Sequence, residues 1–201
     1  MAKHQLFIQT ALKQSMLALF RDYQCLQEHS MVLDHRSDNT YVNDIQIMLK
    51  KNKISHTEIH ELYLVHGPGF FTGVRAGVII AKAWYQLFQP KMQLVSSFDY
   101  ISACISGAVL PYGVVIAGSG KEGYFKLFSD SEEQSACMIN YEEAMDLQRN
   151  YPIYSDLLPL CEKWGFIHVQ PRAVLPLKSK QACSLNEIFP VYIRREDDLF
   201  G

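Results

Sequence analysis

Two histidines stand at a spacing that can bind a metal ion. His56 and His60 are four residues apart, so on a helix both imidazoles would lie on one face. The zincin pattern, however, requires a glutamate directly after the first histidine, and Thr57 occupies that position. We therefore interpret the pair as a surface feature, and we rank a metallopeptidase last among the functions considered.

A second candidate is the glycine-rich stretch at residues 118–123, which has the spacing G-x-G-x-x-G. A dinucleotide-binding fingerprint must open a helix, whereas this stretch lies between two predicted strands at residues 114–117 and 124–128. A kinase glycine loop does lie between strands, but neither H-R-D nor D-F-G follows it. We interpret the stretch as the turn of a hairpin.

The cysteines offer no further site. There are five of them, an odd number, and no pair has the C-x-x-C spacing of zinc or redox sites. We expect buried, free thiols in a reducing cytosol. No Ser/His/Asp or Cys/His arrangement can be assembled from the sequence, so we name no catalytic residue and no metal ligand.

Composition narrows the class of protein. The chain has 201 residues, 48% of them apolar, enough to bury a core in one domain or in two smaller lobes. Its formal net charge of -2 supplies no overall attraction for an RNA backbone. No apolar run approaches the ~20 residues of a membrane-spanning helix, and no signal peptide is recognisable. We therefore expect a cytoplasmic protein that does not enter membranes.

The first hundred residues predict a sheet with helices. Apolar runs at residues 6–10, 16–20 and 25–33 predict an antiparallel meander. Residues 38–51 have apolar side chains at helical spacing, with Asp38 as a cap and lysines at the end. A buried strand at 62–65 follows, and then a glycine turn, a helix at 72–89 and a strand at 94–96.

The helix predicted at residues 72–89 is apolar on almost every side. One stripe is expected to cover the sheet: Val74, Val78, Ala81, Tyr85 and Phe88. Other apolar residues lie around the rest of the helix: Ala76, Ile79, Ile80, Ala83, Trp84 and Leu87. Such a helix must be covered from two directions, either by a neighbouring helix of the same lobe or by another polypeptide.

The second half of the chain is less regular. A helix begins at Ser97, and from about Ile105 the pattern changes. We therefore predict an N-terminal lobe at residues 1–105 and a smaller C-terminal lobe at 106–201. The second lobe should contain the hairpin around residues 118–123, a helix at 141–149 and a strand at 166–169, with prolines breaking the remainder.

A short motif lies between the strand at 62–65 and the long helix. Its fixed positions are Gly67, Pro68, Gly69, Phe71, Gly73 and Gly77. Glycines permit a tight turn and close backbone approach, and backbone amides at a helix start can face an anion. A P-loop would need a Gly-Lys-Ser/Thr ending, which is absent here.

This stretch resembles the G-P-G-S-F-T-G-x-R-x-G motif of the TsaB family, also called YeaZ, with Phe70 in place of the usual serine. The strand at residues 6–11 and the segment Pro190-Val-Tyr192-Ile-Arg194 also resemble the family, whose C-terminal pattern is P-x-Y-x-R. The resemblance implies an α/β protein with a shortened two-lobed actin-like ATPase fold, of the ASKHA and ribonuclease H-like class.

The resemblance also implies a function without catalysis by this chain. Family members bind a TsaD-type catalytic subunit and a TsaE-type ATPase, and the complex makes threonylcarbamoyladenosine next to the tRNA anticodon. ATP and magnesium would be used by the complex, tRNA would be engaged indirectly, and the isolated chain would bind no cofactor tightly. Without its partner the chain is expected to be able to form a homodimer.

In the family, the subunits pair through helices of the first lobe. Carried over to the two helices predicted here, this implies a partner interface. Its residues are Tyr41, Ile45, Met48, Thr72, Arg75, Ala76, Ile79, Ile80, Ala83, Trp84 and Leu87.

The sequence departs from an active ATPase of this fold at two positions. Gln9 stands where the first hairpin usually has aspartate, and Ala117 stands where the second lobe has one. Ser119 replaces a residue that is commonly basic. Magnesium with phosphates requires hard oxygen ligands, so phosphoryl transfer is not expected. An actin-like small-molecule kinase or ATPase is the alternative function.

Overall fold

The N-terminal meander forms one half of the larger of two sheets. The computed structural model describes residues 2–32, 40–118, 120–130, 134–176 and 179–193. Strands of the larger sheet are β1 His4–Gln9, β2 Gln14–Arg21, β3 Gln24–Val32, β4 Ile59–Val65, β5 Lys91–Val95 and β11 Lys180–Ala182, in the order β11-β5-β4-β1-β2-β3. The meander is antiparallel, as predicted, and β4 and β5 continue it in parallel.

The smaller sheet is built around the predicted second hairpin. Its strands are β6 Tyr112–Ala117, β7 Glu122–Phe128, β8 Cys137–Asn140, β9 Ile153–Ser155 and β10 Ile167–His168, in the order β10-β9-β6-β7-β8. Ala117 pairs with Gly123 across the glycine-rich stretch, which is therefore a hairpin turn, as predicted. Strand β9 runs parallel to β6.

Helices cover the larger sheet and fill the space between the two sheets. The described helices are α1 Thr40–Lys51, α2 Phe71–Phe88, α3 Ser97–Cys104, α4 Tyr141–Leu147 and α5 Leu158–Trp164. Helices α1 and α2 pack on the larger sheet in one apolar cluster, which includes Ile45, Leu64 and Val78. A second cluster joins α3 to strands of both sheets, through Phe7, Phe98 and Ile116 among others.

Some elements differ from the sequence prediction. Helix α2 begins and ends one residue earlier than predicted, and Gln89 in the left-handed conformation ends it. Strand β11, from the part of the chain predicted to form the second lobe, pairs with β5 of the first sheet. Strands β8 and β9 and helix α5 were not predicted. The expectation of buried thiols is wrong for Cys25, Cys137 and Cys183, which are exposed. Asp38, the predicted cap of α1, lies outside the described residues.

The glycine turn is pressed against the tip of the β1–β2 hairpin. The Phe70 amide donates to the Ala11 carbonyl oxygen at 2.7 Å. A Cβ atom at Gly69 would clash with that same carbonyl, and one at Gly77 would clash with the Thr10 hydroxyl. These glycines are therefore required by close approach of the backbone, which fixes where α2 begins.

A C-terminal segment closes over the same turn. Residues 189–193 cross it, with the Val191 amide donating to the His66 carbonyl oxygen at 2.8 Å. His66 Nδ1 lies 3.0 Å from the Phe189 carbonyl oxygen. Gly67 has φ of +112°, and a Cβ atom there would lie 2.7 Å from the Val191 carbonyl oxygen. The turn is thus held from below by the hairpin and from above by this segment.

Gly69→Ala tests the close approach. We expect a loss of about 2–3 kcal/mol in the free energy of unfolding, because the methyl group meets backbone that cannot move aside. Gly107→Ala is the matched control, since Gly107 has φ of +74° but open space around it, and its cost should be only about 1 kcal/mol of backbone strain. Urea denaturation measures both, and equal losses would contradict the clash.

Candidate functional site

Gln9, which stands where the first hairpin usually has aspartate, is buried. Gln9 Nε2 donates to the Gln14 carbonyl oxygen at 2.8 Å, and Gln9 Oε1 accepts from the Leu12 amide at 2.9 Å. Both ends of the side chain therefore hold the hairpin turn. Ala117 at the end of β6 supplies only a methyl group, and Ser119 lies outside the described residues. Neither described position offers an oxygen anion for magnesium.

The two histidines do not converge. His56 begins a short 3₁₀ turn, and its ring stacks on Phe88 with centroids 5.6 Å apart. His60 lies on β4, where its Nδ1 accepts from the His4 amide at 3.2 Å. Within the described ranges, no group of three or more His, Cys, Asp and Glu residues is placed to hold a metal ion. The geometry gives the metallopeptidase alternative no support.

Several exposed apolar side chains lie on α1 and α2. On α2, Phe71, Ile79 and Leu87 are 56%, 66% and 71% exposed. On α1, Val42 and Ile47 are exposed as well. These side chains face away from the sheet, whereas the opposite stripe of α2 is buried in the core. Apolar residues clustered in this way are typical of an interaction surface.

Two grooves run along this surface and meet at Val42 and Ile80. The narrower has a volume of about 200 Å³ and lies between the helices, with Trp84 and Leu87 among its walls. The wider, of about 410 Å³, runs past Ile79 to the start of α2. We call the combined area the α1–α2 surface, defined by Val42, Gln46, Phe71, Arg75, Ile79, Ile80, Ala83, Trp84 and Leu87.

Seven of the eleven predicted interface residues are accessible on α2. Thr72, Arg75, Ile79, Ala83 and Leu87 are exposed, and Ala76 and Ile80 are partly exposed.

Tyr41, Ile45 and Met48 require a correction. Their side chains are at most 1% exposed and belong to the core beneath the helices. The apolar stripe that identified α1 as amphipathic is the stripe that covers its own sheet. The outer side of α1 instead presents Val42 and Gln46 to the grooves.

Trp84 lies at the boundary between core and surface. It is 7% exposed, so it forms the floor of the narrow groove and presents little area of its own. Its ring centroid lies 5.4 Å from those of His56 and Phe88. Its Nε1 atom makes no hydrogen bond in the described parts of the chain.

An aromatic and cationic row borders the wide groove. The Arg75 guanidinium carbon lies 4.9 Å from the centroid of the Phe71 ring, an arrangement that holds the cation in place. The Phe71 ring lies 5.6 Å from that of Tyr192. Sequence reasoning noted Tyr192 only as part of a C-terminal motif. Its position beside α2 depends on the segment that crosses the glycine turn.

A cavity of about 460 Å³ lies where α3 meets the second sheet. Its walls include Asp99 of α3 and Lys126 of β7, whose Oδ1 and Nζ atoms are 3.8 Å apart. Ser96 donates to Asp99 Oδ2 at 2.5 Å. The ion pair joins α3 to the second sheet and was not predicted. The only available signal was the spacing of Ser96 and Asp99, which is typical of a helix cap.

Asp156 is a buried carboxyl group directly after β9. The residue is 9% exposed, and its Oδ1 atom makes no hydrogen bond within the described ranges. Burial raises the pKa of Asp156 to about 7, and a hydrogen bond from its own backbone only partly offsets this. Burial, with a smaller contribution from the Asp156 charge, in turn raises the pKa of Tyr100, Tyr141 and Cys161.

Comparison with known proteins gives two curated relatives. The uncharacterized protein MG208 homolog of Mycoplasma pneumoniae is 26% identical over 161 residues, which span 77% of this chain and 79% of that protein. The uncharacterized protein MG208 of Mycoplasma genitalium is 31% identical over 90 residues, spanning 44% of this chain and 46% of that protein. No protein-family model matches the chain.

Two solved structures from Pseudomonas aeruginosa share the whole arrangement. YeaZ superposes with a TM-score of 0.70 at 14% identity, covering 95% of this chain and 100% of that chain. A protein with similarity to peptidase YeaZ gives a TM-score of 0.71 at 15% identity, covering 96% and 100%. This likeness confirms the predicted fold class, an α/β protein with the shortened two-lobed actin-like fold. None of the described helices has the length and hydrophobicity to cross a membrane.

Asp156→Asn tests the buried carboxyl group. Because the pKa is raised from about 3.9 in the unfolded chain to about 7 in the folded protein, its favourable contribution is complete below about pH 4 and is lost as pH rises through 7. The amide cannot ionise. We compare the free energy of unfolding of the variant with that of the wild type at each pH. The difference, variant minus wild type, should be roughly 2–4 kcal/mol larger at pH 8 than at pH 4.5.

Urea denaturation at the two pH values measures the difference. Asp130→Asn, which removes an exposed carboxylate from the same part of the chain, controls for the loss of one negative charge. An Asp156→Asn difference that is the same at both pH values would contradict the assignment.

Proposed function

We propose that this chain is a non-catalytic, TsaB-type subunit that binds a TsaD-type catalytic subunit through the α1–α2 surface. In that complex it would raise the rate of threonylcarbamoyl transfer to the tRNA adenosine next to the anticodon. The observation that carries the proposal is the apolar outer face of α2, which the described chain leaves uncovered while its inner face is fully packed.

The burial pattern of α2 supports a separate partner over the other explanation of an all-round apolar helix. Sequence analysis left open whether a helix of the same lobe covers the outer side. Helix α1 covers part of it, and Trp84 is buried there. Ile79 and Leu87 nevertheless stay largely exposed, and burying them against another chain would be favourable at about 25 cal/mol per Å².

The composition of the cleft supports a subunit that does not itself react. The Gln9 amide is used in the hairpin turn, and Ala117 has no polar side chain. We propose that the chain binds no cofactor tightly, that ATP and magnesium are used by the complex with a TsaE-type ATPase, and that tRNA is engaged through the catalytic subunit. The cytoplasm is the compartment in which these partners and tRNA occur together.

The alternative is a small-molecule kinase or ATPase of the same fold. The shared fold supports this alternative, but fold alone does not determine function.

Isothermal titration calorimetry of the isolated chain with ATP and MgCl₂ separates the two functions. We expect no magnesium-dependent heat of binding, because neither hairpin turn offers a carboxylate to the metal. Binding in the micromolar range that disappears with EDTA would contradict the subunit proposal and favour the kinase or ATPase.

Ile79→Glu and Leu87→Glu test the interface. Both side chains are mostly exposed, so a carboxylate there should leave the fold intact but would be desolvated against an apolar partner. We expect each variant to weaken binding to the cognate TsaD-type subunit at least tenfold, and the pair to abolish co-purification and stimulation of tRNA modification in a reconstituted reaction.

Val109→Glu is the matched control, because Val109 is 80% exposed and lies between α3 and β6, away from the α1–α2 surface. Circular dichroism and thermal denaturation confirm that each variant is folded. A folded Ile79→Glu/Leu87→Glu variant that still co-purifies with the catalytic subunit would exclude this surface as the interface.

A further inference from the structure

The described residues of α1 and α2 that border the α1–α2 surface carry charges of one sign. Helix α2 carries Arg75 and Lys82 and no carboxylate. Of the described residues that line the two grooves, Arg75 is the only one with a permanent charge. On α1, the outer stripe that begins with Val42 and Gln46 continues at the next i+4 position to Lys50, which is exposed.

The one carboxylate of α1 lies on a different flank. Asp44 Oδ2 is 3.9 Å from His29 Nε2 on β3, so this side chain is directed to the edge of the sheet, away from the grooves. The apolar centre of the surface is therefore bordered by cations at both ends and by no described anion of either helix.

This charge pattern bears on what covers the surface. A homodimer with two-fold symmetry would place the same patch on both sides of the interface. Two cationic borders would then face each other across an apolar centre, and like charges at an interface are repulsive and suppress the wrong partner. A partner with carboxylates around an apolar centre would instead gain from every border contact.

We infer that, if the proposed function holds, the surface is selective for a different chain whose apolar contact area is bordered by aspartate or glutamate. In contrast to the expectation from the family resemblance, it then disfavours a homodimer through this surface. Arg75 is the principal border residue, because the Phe71 ring holds its guanidinium beside the wide groove. Lys82 follows Arg75 by seven residues and therefore lies on the same side of α2, and Lys50 lies on the outer stripe of α1, so both extend the positive border.

Charge reversal combined with salt titration tests the inference. The probe is the cognate TsaD-type subunit, and the dissociation constant is measured by calorimetry at 50 and 500 mM NaCl. We expect Arg75→Glu/Lys82→Glu to weaken binding about tenfold at 50 mM and less than about threefold at 500 mM, because salt screens exposed charges.

Lys121→Glu/Lys163→Glu is the matched control, with the same change in net charge at two exposed lysines, one in the β6–β7 turn and one on α5. It should leave the dissociation constant unchanged at both salt concentrations. Sedimentation velocity of the isolated wild-type chain at 50 mM NaCl should show a monomer.

The outcomes separate this inference from the proposed function. A complex whose affinity responds neither to salt nor to Arg75→Glu/Lys82→Glu overturns the charge inference alone. An isolated chain that forms a dimer at 50 mM NaCl, and loses it with Ile79→Glu, also overturns it. Absence of any complex with the catalytic subunit overturns the proposed function, and this inference with it.

Discussion

The close contact between the glycine turn and the β1–β2 hairpin is the constraint on which the rest depends. Because Gly69 lies against the Ala11 carbonyl and Gly77 lies against the Thr10 hydroxyl, α2 can begin only where the turn releases it. The Thr10 hydroxyl donates to the Gly73 carbonyl oxygen at 2.6 Å and connects the first turn of the helix to the same hairpin. The direction of α2, and therefore which of its sides faces outward, follows from this contact.

The hairpin turns and the exposed apolar surface lie in different parts of the molecule. The Gln9 side chain closes the first hairpin turn, and the second turn begins with the small residues Ala117 and Gly118. The exposed apolar side chains of that surface lie on α1 and α2, which cover the face of the larger sheet opposite to α3. An exposed apolar surface is costly for an isolated protein in water, and its retention is understandable where another chain covers it.

Periodicity in the sequence predicted the meander, α1 and α2, because each buries one regular stripe. It could not tell which stripe of α1 is outward, and Tyr41, Ile45 and Met48 were assigned to a partner although they complete the core. Strand β11 and helix α5 escaped because they are short, and β11 depends on pairing with the distant β5. The Asp99–Lys126 pair forms only when α3 packs against the second sheet, and the burial of Asp156 also arises from tertiary packing, so no local pattern reveals them.

The pairing of β11 with β5, together with the segment that crosses the glycine turn, has a consequence for synthesis on the ribosome. Leu94 pairs with Lys180 at the edge of the sheet, and His66 accepts a hydrogen bond from Val191, so each partner is synthesised long after the residue that it contacts. Contacts between such distant positions form late, since a long loop must close first. A nascent or truncated polypeptide therefore lacks the contacts that hold β5 and the glycine turn before α2. The α1–α2 surface is complete only in chains that have been translated past these residues.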